Sequence, residues 1–188
     1  MQSALFLGRF QPFHKGHLSV IQRILKENER VIIALGSAEQ NYLPQNPFTA
    51  SERFQMIEES LKEAKIAPNR YCIIPVRNIF NYSLWVNHVN TYVPPYTKVY
   101  TGSKLIRACY EGKYFLPSAK EKFGPEIIQL KRIVPVSATK IRNAIIKNQK
   151  WEHLVPKAVI KKIKEWDAIE RIKTIKDTID TTKFNSAY

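Results

Sequence analysis

Two short stretches of this 188-residue chain combine cations, imidazoles and hydroxyls at places where helices begin. In Gly8-Arg9-Phe10-Gln11-Pro12-Phe13-His14-Lys15-Gly16-His17 an apolar strand-like run stops at Gly8, and a helical pattern starts near His14. The first turn of a helix carries unpaired amides and the positive end of its dipole, so an anion, above all a phosphate, suits that position. His14 and His17, three residues apart, fit on one side of that turn and can donate hydrogen bonds to neighbouring phosphoryl oxygens as charge builds there. Arg9 adds a guanidinium able to grip two oxygens at once. The second stretch, Ser137-Ala138-Thr139-Lys140-Ile141-Arg142, sets hydroxyls at another helix start and a guanidinium five residues after Ser137. Ser137 is also a good N-cap in its own right, and Thr139 with Arg142, one turn apart, turns the balance toward phosphate.

Competing chemistries fit less well. A His-x-x-His pair suits a metal, but zinc wants three or four ligands, and His88, His153, Cys72 and Cys109 show no ligand spacing near it. Buried core histidines rarely come flanked by Arg, Lys and Gly. No acyl-transfer triad motif, no P-loop and no Gly-x-Gly-x-x-Gly fingerprint is visible. A site with cations and helix termini but no evident nucleophile or base suits phosphoryl-group chemistry, where positioning and electrostatics do most of the catalysis.

The elements that position these groups follow from the apolar pattern. Ala4–Leu7, Val31–Leu35, Tyr71–Val76, Lys98–Thr101 and Ile127–Leu130 read as strands, with helical segments between them. Thr49-Ala50-Ser51-Glu52 has the spacing of a capping box before Phe54, Ile57 and Leu61. Ser83–Val93 reads as a helix, Ser137 caps another to about Asn148, and Pro156 opens a basic amphipathic helix toward Trp166. Near-continuous apolar strands alternating with helices predict an α/β fold: a Rossmann-like, doubly wound parallel sheet with C-terminal helices. Gly8, Gly36 and Gly102 each follow a strand, where ligands of such sheets bind, so all three are expected to line one cleft. One domain is expected over residues 1–172, with a helix end and a mobile tail over 173–188.

A formal charge of +14 favours polyanionic partners, nucleic acid or small phosphorylated molecules. The densest basic run, Lys157, Lys161, Lys162 and Lys164, alternates with apolar residues as a solvated helix face does. Without a basic stripe interleaved with aromatics, a nucleic-acid-binding module is the weaker alternative and no nucleic-acid partner is expected. Two cysteines are too few for a disulfide framework, no run approaches the roughly 18 apolar residues of a membrane span, and a soluble, cytoplasmic protein is expected.

These blocks resemble the His-x-Gly-His nucleotidylyltransferase superfamily and, within it, the archaeal-type nicotinamide mononucleotide (NMN) adenylyltransferases. Beyond Gly8–His17 the likeness includes Gly36-Ser37-Ala38, Asn46-Pro47-Phe48-Thr49 with Glu52-Arg53, Leu84-Trp85-Val86, Tyr100-Thr101-Gly102, Ser137–Arg142 and Trp151-Glu152-His153-Leu154-Val155-Pro156, in the family's order. It implies adenylyl transfer from ATP, as its Mg2+ complex, to NMN, giving NAD and pyrophosphate by in-line attack on the α-phosphorus. His17, His14, Arg9 and Arg142 would be catalytic. ATP would be bound by Gly8, Arg9, Phe10, His14, Gly16, His17, Gly102, Ser137, Thr139 and Arg142. NMN would be bound by Gly36, Ser37, Phe80, Asn81, Tyr82 and Trp85, the last stacking on the nicotinamide ring. The ligand spacing already argues against a protein-bound metal site, and the resemblance implies a homo-oligomer, such as a hexamer. Two positions depart from the pattern: Gln45 stands where relatives carry an arginine that reaches the phosphates, and Tyr82 where they carry an asparagine, with Asn81 one place earlier. Nicotinate mononucleotide, or another phosphate acceptor, is the alternative substrate.

Overall fold

Val31, Ile32, Ile33 and Ala34 are fully buried along β2 (Arg30–Leu35), as a strand covered on both faces must be. The computed structural model describes residues 2–112, 124–130 and 135–185. These residues gather into two compact units whose segments interleave along the chain.

The first unit holds a five-stranded parallel sheet in the order β3-β2-β1-β4-β5, with β1 (Ser3–Gly8), β3 (Tyr71–Pro75), β4 (Lys98–Thr101) and β5 (Glu126–Gln129). The chain winds outward from β1 to β3, then crosses back to place β4 on the other side of β1, which is the doubly wound arrangement with its switch point between β1 and β4. Leu5, Leu7, Ile32, Ala34, Val76, Val89, Val93 and Val99 form one apolar cluster, with α3 (Trp85–Asn90) supplying Val89. Most of α1 (Lys15–Glu27) belongs to this unit, and its C-terminal end is tied down. Arg70 donates to the carbonyls of Leu25 and Asn28, satisfying oxygens that the helix leaves unpaired. The Tyr100 hydroxyl donates to Glu27 at 2.6 Å. That bond holds the Glu27 carboxyl below its usual range.

The second unit holds the Arg9–Leu18 segment, residues 39–66 with α2 (Ala50–Glu63), and the C-terminal helices α5 (Ala138–Ile146), α6 (Lys157–Glu165) and α7 (Ala168–Asn185). The capping box is formed in full: the Glu52 backbone donates to the Thr49 hydroxyl, and the Thr49 backbone donates to the Glu52 carboxylate. Helix α6 packs on α2, and α7 packs on α5 and α6.

Three elements differ from expectation. Helix α3 is shorter than Ser83–Val93, because Leu84 and Trp85 donate into a turn started at Asn81 and because Pro94 and Pro95 lack donors to extend it. A helix α4 (Lys104–Tyr110) follows Gly102, capped by the Ser103 hydroxyl. Helix α7 continues to Asn185, separated from α6 by Asp167 in the left-handed region, and residues 186–188 lie outside those described. Both cysteines are free, Cys109 buried and Cys72 half-buried. No helix among the described residues is long and apolar enough to cross a membrane.

Candidate active site

Immediately after Gly8 the chain turns through Phe10, whose φ of 52° lies in a region that side chains rarely adopt. Burial holds it there. Phe10 is 1% exposed and Phe13 fully buried, and both rings pack against His17 with centroids 4.9 and 5.5 Å away. On this apolar floor the His14 and His17 rings stack 3.5 Å apart, inclined by 16°. The His14 backbone N–H donates to His17 Nδ1, and the His17 backbone N–H donates to His14 Nδ1, both at 3.3 Å. An accepting Nδ1 leaves the proton of a neutral imidazole on Nε2. Both rings therefore present Nε2–H donors from one turn. Burial, and then the neighbouring His14, push the His17 pKa well below its ordinary value, so that donor stays neutral near pH 7.

Gly16 leaves room for this stacking. A Cβ there would sit 3.0 Å from Val136 Cγ1 and 3.1 Å from His14 Cε1 and Nδ1, tighter than most Cβ contacts, so Val136 or the His14 ring would have to shift by a few tenths of an ångström. The missing side chain is what lets the His14 ring lie where it does.

Around the histidines the loop is clamped through backbone groups. The Gln11 amide donates to the Phe48 carbonyl and accepts from the Phe48 N–H, both at 2.9 Å. That reciprocal pair fixes the loop at Arg9–His14 against the segment preceding α2. Arg142, 7% exposed, donates to the Gln11 carbonyl at 2.7 Å and to the Thr139 hydroxyl at 3.4 Å. Ser137 caps α5 by accepting from the Lys140 N–H. Arg53, fully buried, donates to the carbonyls of Thr49 at 3.1 Å and Arg9 at 3.0 Å. Arg9 itself is exposed and reaches Gln45 at 3.4 Å and Asn46 at 3.5 Å.

Three guanidiniums thus share one neighbourhood. Burial lowers the Arg53 pKa to about 10, with Glu39 and Glu52 acting against the shift and Arg9 adding to it. Burial lowers Arg142 to about 10 as well, and Arg9 again contributes repulsion. Like charges gathered with the two imidazole Nε2–H donors are complementary to a polyanion, whose binding would relieve the repulsion. Among the described residues no group of three or more His, Cys, Asp or Glu side chains converges to hold a metal.

Residues 5–144 match the cytidylyltransferase-like family. A nicotinamide-nucleotide adenylyltransferase of Methanococcus maripaludis is 38% identical over 174 residues, covering 93% of this chain and 95% of that protein. Proteins of the same name from Methanococcus aeolicus and Thermoplasma acidophilum are 40% and 39% identical, covering 92% and 93% of this chain and 94% and 92% of their own. The chain belongs to the nicotinamide-nucleotide adenylyltransferases of the cytidylyltransferase-like family. Its fold matches the crystal structure of a bifunctional NMN adenylyltransferase/ADP ribose pyrophosphatase from Francisella tularensis, with a TM-score of 0.74 and 22% identity over 99% of this chain. The chain spans 56% of the length of that structure. A second crystal structure of that Francisella protein holds AMP and a manganese ion.

For this family member the structure brings Arg9, Phe10, His14, Gly16, His17, Ser137, Thr139 and Arg142 together in the second unit. Phe10 directs its ring under His17. Gln45, where the resemblance implies an arginine, accepts from Arg9, and the cluster's positive charge comes from Arg9, Arg53 and Arg142. Gly8, Gly36 and Gly102 end three adjacent strands of the sheet in the first unit, and the Gly36 N–H donates to the Gly8 carbonyl at 2.9 Å. A Cβ at Gly36 or Gly102 would make only ordinary contacts, so the protein's own packing does not demand glycine there. Ser37, nearly buried, has a φ of 50°. Trp85 is half-buried against the apolar cluster and meets Tyr110 edge-on at 6.3 Å. Phe80 is 81% exposed, Tyr82 40%, and Asn81 accepts from the Ser83 N–H.

Gln11 and Arg53 had no assigned role in the sequence. Arg53 carried a signal, one turn past the Thr49 cap, but a single exposed-type residue on a helix does not announce that it is buried. Gln11 carried none, because its partner is 37 residues away.

Proposed function

We propose that the chain transfers the adenylyl group of ATP to the phosphate of NMN, releasing pyrophosphate and forming NAD. The observation that carries this reading is the pair of stacked imidazoles set among Arg9, Arg53 and Arg142. An oxygen of the acceptor phosphate attacks the α-phosphorus of ATP; that oxygen–phosphorus bond forms as the bond to the bridging oxygen breaks, and the electron pair leaves with pyrophosphate. Such a displacement needs no covalent enzyme intermediate, and neutralising charge on the non-bridging oxygens is the main task of the protein.

His17 and His14 donate Nε2–H to phosphoryl oxygens, and His17 strengthens its bond as charge builds in the transition state. Remaining neutral, it donates without carrying a proton whose loss would change the site near pH 7. Arg9 binds triphosphate oxygens from the exposed edge, and Arg142 does so from a buried position fixed by Gln11 and Thr139. The Ser137 and Thr139 hydroxyls assist at the start of α5. ATP enters as its magnesium complex, with the ion carried on its own phosphate oxygens. Gly36 and Gly102 let a nucleotide approach the strand ends closely, and the Trp85 indole offers a face to the nicotinamide ring. The C-terminal helices are part of the catalytic domain, and the protein works as a homo-oligomer in the cytoplasm.

Incubation of the purified protein with Mg-ATP and either NMN or nicotinate mononucleotide, followed by chromatography, tests this. Dinucleotide and stoichiometric pyrophosphate are expected with NMN. No dinucleotide from either acceptor would reject the reading, and a product from nicotinate mononucleotide alone would reassign the acceptor.

A further inference from the structure

Tyr96 and Tyr110 are half-buried phenols that the proposed reaction leaves unused. Their hydroxyl oxygens lie 2.9 Å apart, and the Tyr96 hydroxyl donates to Asn90 Oδ1 at 2.6 Å. A phenol has one proton to give, so with that of Tyr96 committed to Asn90 the bond between the tyrosines runs from Tyr110 to Tyr96. Burial pushes both phenols above their ordinary pKa range, and the bond from Tyr110 acts against the shift at Tyr96. The donor chain Tyr110, Tyr96, Asn90 therefore stays intact near pH 7.

Apolar packing does not need these hydroxyls. Both rings lie against the cluster of Leu5, Val89 and Val93, and phenylalanine would fill the same space with no polar group to desolvate. What the hydroxyls add is fixed distance. Asn90 ends α3, Tyr110 ends α4, and Tyr96 precedes Thr97, whose N–H donates to the Ser3 carbonyl of β1 at 3.0 Å. Helices of six and seven residues, too short to hold their own geometry in isolation, are thereby tied at hydrogen-bond length to each other and to the sheet. The Tyr110 ring then returns to α3, standing at 85° to the Trp85 indole with centroids 6.3 Å apart. Trp85 is the first residue of the helix whose last residue anchors the chain, so the contacts close a circle from Asn90 through both phenols to the indole.

We propose that Tyr110 is a positioning residue of the acceptor side: held by Tyr96 and Asn90, its ring fixes the orientation of the Trp85 indole. That the indole meets the nicotinamide ring rests on the proposed function; the restraint on the indole rests on the contacts around it. An indole already held in one orientation loses little freedom when a second ring stacks on it, so Tyr110 strengthens acceptor binding without touching the acceptor.

Fluorine NMR of the whole protein labelled with fluorotryptophan, together with steady-state kinetics, tests it. The Trp85 resonance is the one missing from Trp85→Phe. Without ligand it should be a single sharp line in wild type and should broaden or split in Tyr110→Leu, with Tyr110→Phe, which keeps the ring and loses the hydroxyl, falling between. Tyr110→Leu should raise the KM for NMN about tenfold, the scale of one lost aromatic contact, and leave kcat and the KM for ATP unchanged. In a Trp85→Ala background the same substitution should add nothing, since the two residues act as one unit. A wild-type Trp85 line in Tyr110→Leu, or equal losses for NMN and ATP, would overturn the proposal, the second because a general loosening of the fold moves both substrates. A wild-type KM for NMN in Trp85→Ala would instead sink the stacking role given to the indole in the proposed function, and the fluorine line would still decide whether Tyr110 holds it.

Discussion

His14 and His17 each receive the other's backbone N–H on Nδ1, at 3.3 Å, while their rings stack at 3.5 Å. The pairing selects one tautomer for both rings at once, so the two Nε2–H groups are aimed before any ligand arrives. Preorganised donors of this kind need no rearrangement when charge develops, which is where their catalytic value lies.

Replacing His17 by alanine should therefore lower turnover by about 10²–10³-fold, the usual effect of removing one preorganised donor. Affinity for NMN should hardly change if the ring acts, as proposed, at the phosphates of ATP. Steady-state kinetics with calorimetric NMN binding separate the two. Turnover equal to wild type would reject the role.

The same ring sets a pH dependence. With its folded pKa well below the ordinary value of about 6.5, His17 stays neutral in the native state where the unfolded chain is already protonated. The unfolded state then binds more protons, so stability falls as pH drops through about 6.5 and stops falling below the folded pKa. His17→Gln should remove this contribution, flattening stability between about pH 7 and 5. An NMR titration in which the His17 ring protonates with a midpoint near or above that of a free imidazole would contradict the assignment.

Gly16→Ala tests the stacking. The new Cβ would meet Val136 Cγ1 at 3.0 Å and the His14 ring at 3.1 Å. Overpacking costs about 1–3 kcal/mol, but the larger effect should be on activity, since the ring that must yield carries a donor. A variant that melts lower yet turns over normally would show that the ring position is unimportant.

Arg53 works from underneath. Its guanidinium joins the Thr49 and Arg9 carbonyls, so Arg53→Leu takes this donor from the Arg9 carbonyl and leaves the Thr49 carbonyl with only its backbone helix bond, at a cost of about 1–3 kcal/mol. Denaturant unfolding should show that loss. The KM for ATP should rise in the same variant as Arg9 loses its backbone anchor, and Arg53→Lys, which cannot span both carbonyls, should recover only part of each.

Helix α7 is tied to α2 through Arg171, which donates two bonds to Glu52 at 2.7 and 2.9 Å and lies 5.1 Å from the Tyr42 ring. Glu52 also closes the capping box of α2, so Arg171→Ala should loosen the helix that carries Arg53. A loss of about 1–2 kcal/mol is expected, between values for exposed and for buried charge pairs. Thermal unfolding identical to wild type would show that the capping box needs no support from α7.

Much of this was legible in the chain because it is local. The strands are runs of buried apolar residues, the caps at Thr49 and Ser137 lie within three residues of the amides they bind, and His14 and His17 share one helical turn. Helix α4 was legible only in retrospect, through Ile106, Cys109 and Tyr110 at helical spacing behind the Ser103 cap. The acceptor side stayed harder to read: Trp85 divides its surface between packing and solvent, which no spacing rule reports.

By itself the sequence marked two helix starts as suited to an anion, because cap, dipole and side chain are properties of a few consecutive residues. Only the tertiary structure decided how those starts are held. The Gln11 clamp spans 37 residues, the Arg53 anchor 44 and the Arg142 contact 131. Such partners are chosen by burial, where an unpaired carbonyl or guanidinium is too costly to leave, and burial is not a property of neighbours in sequence.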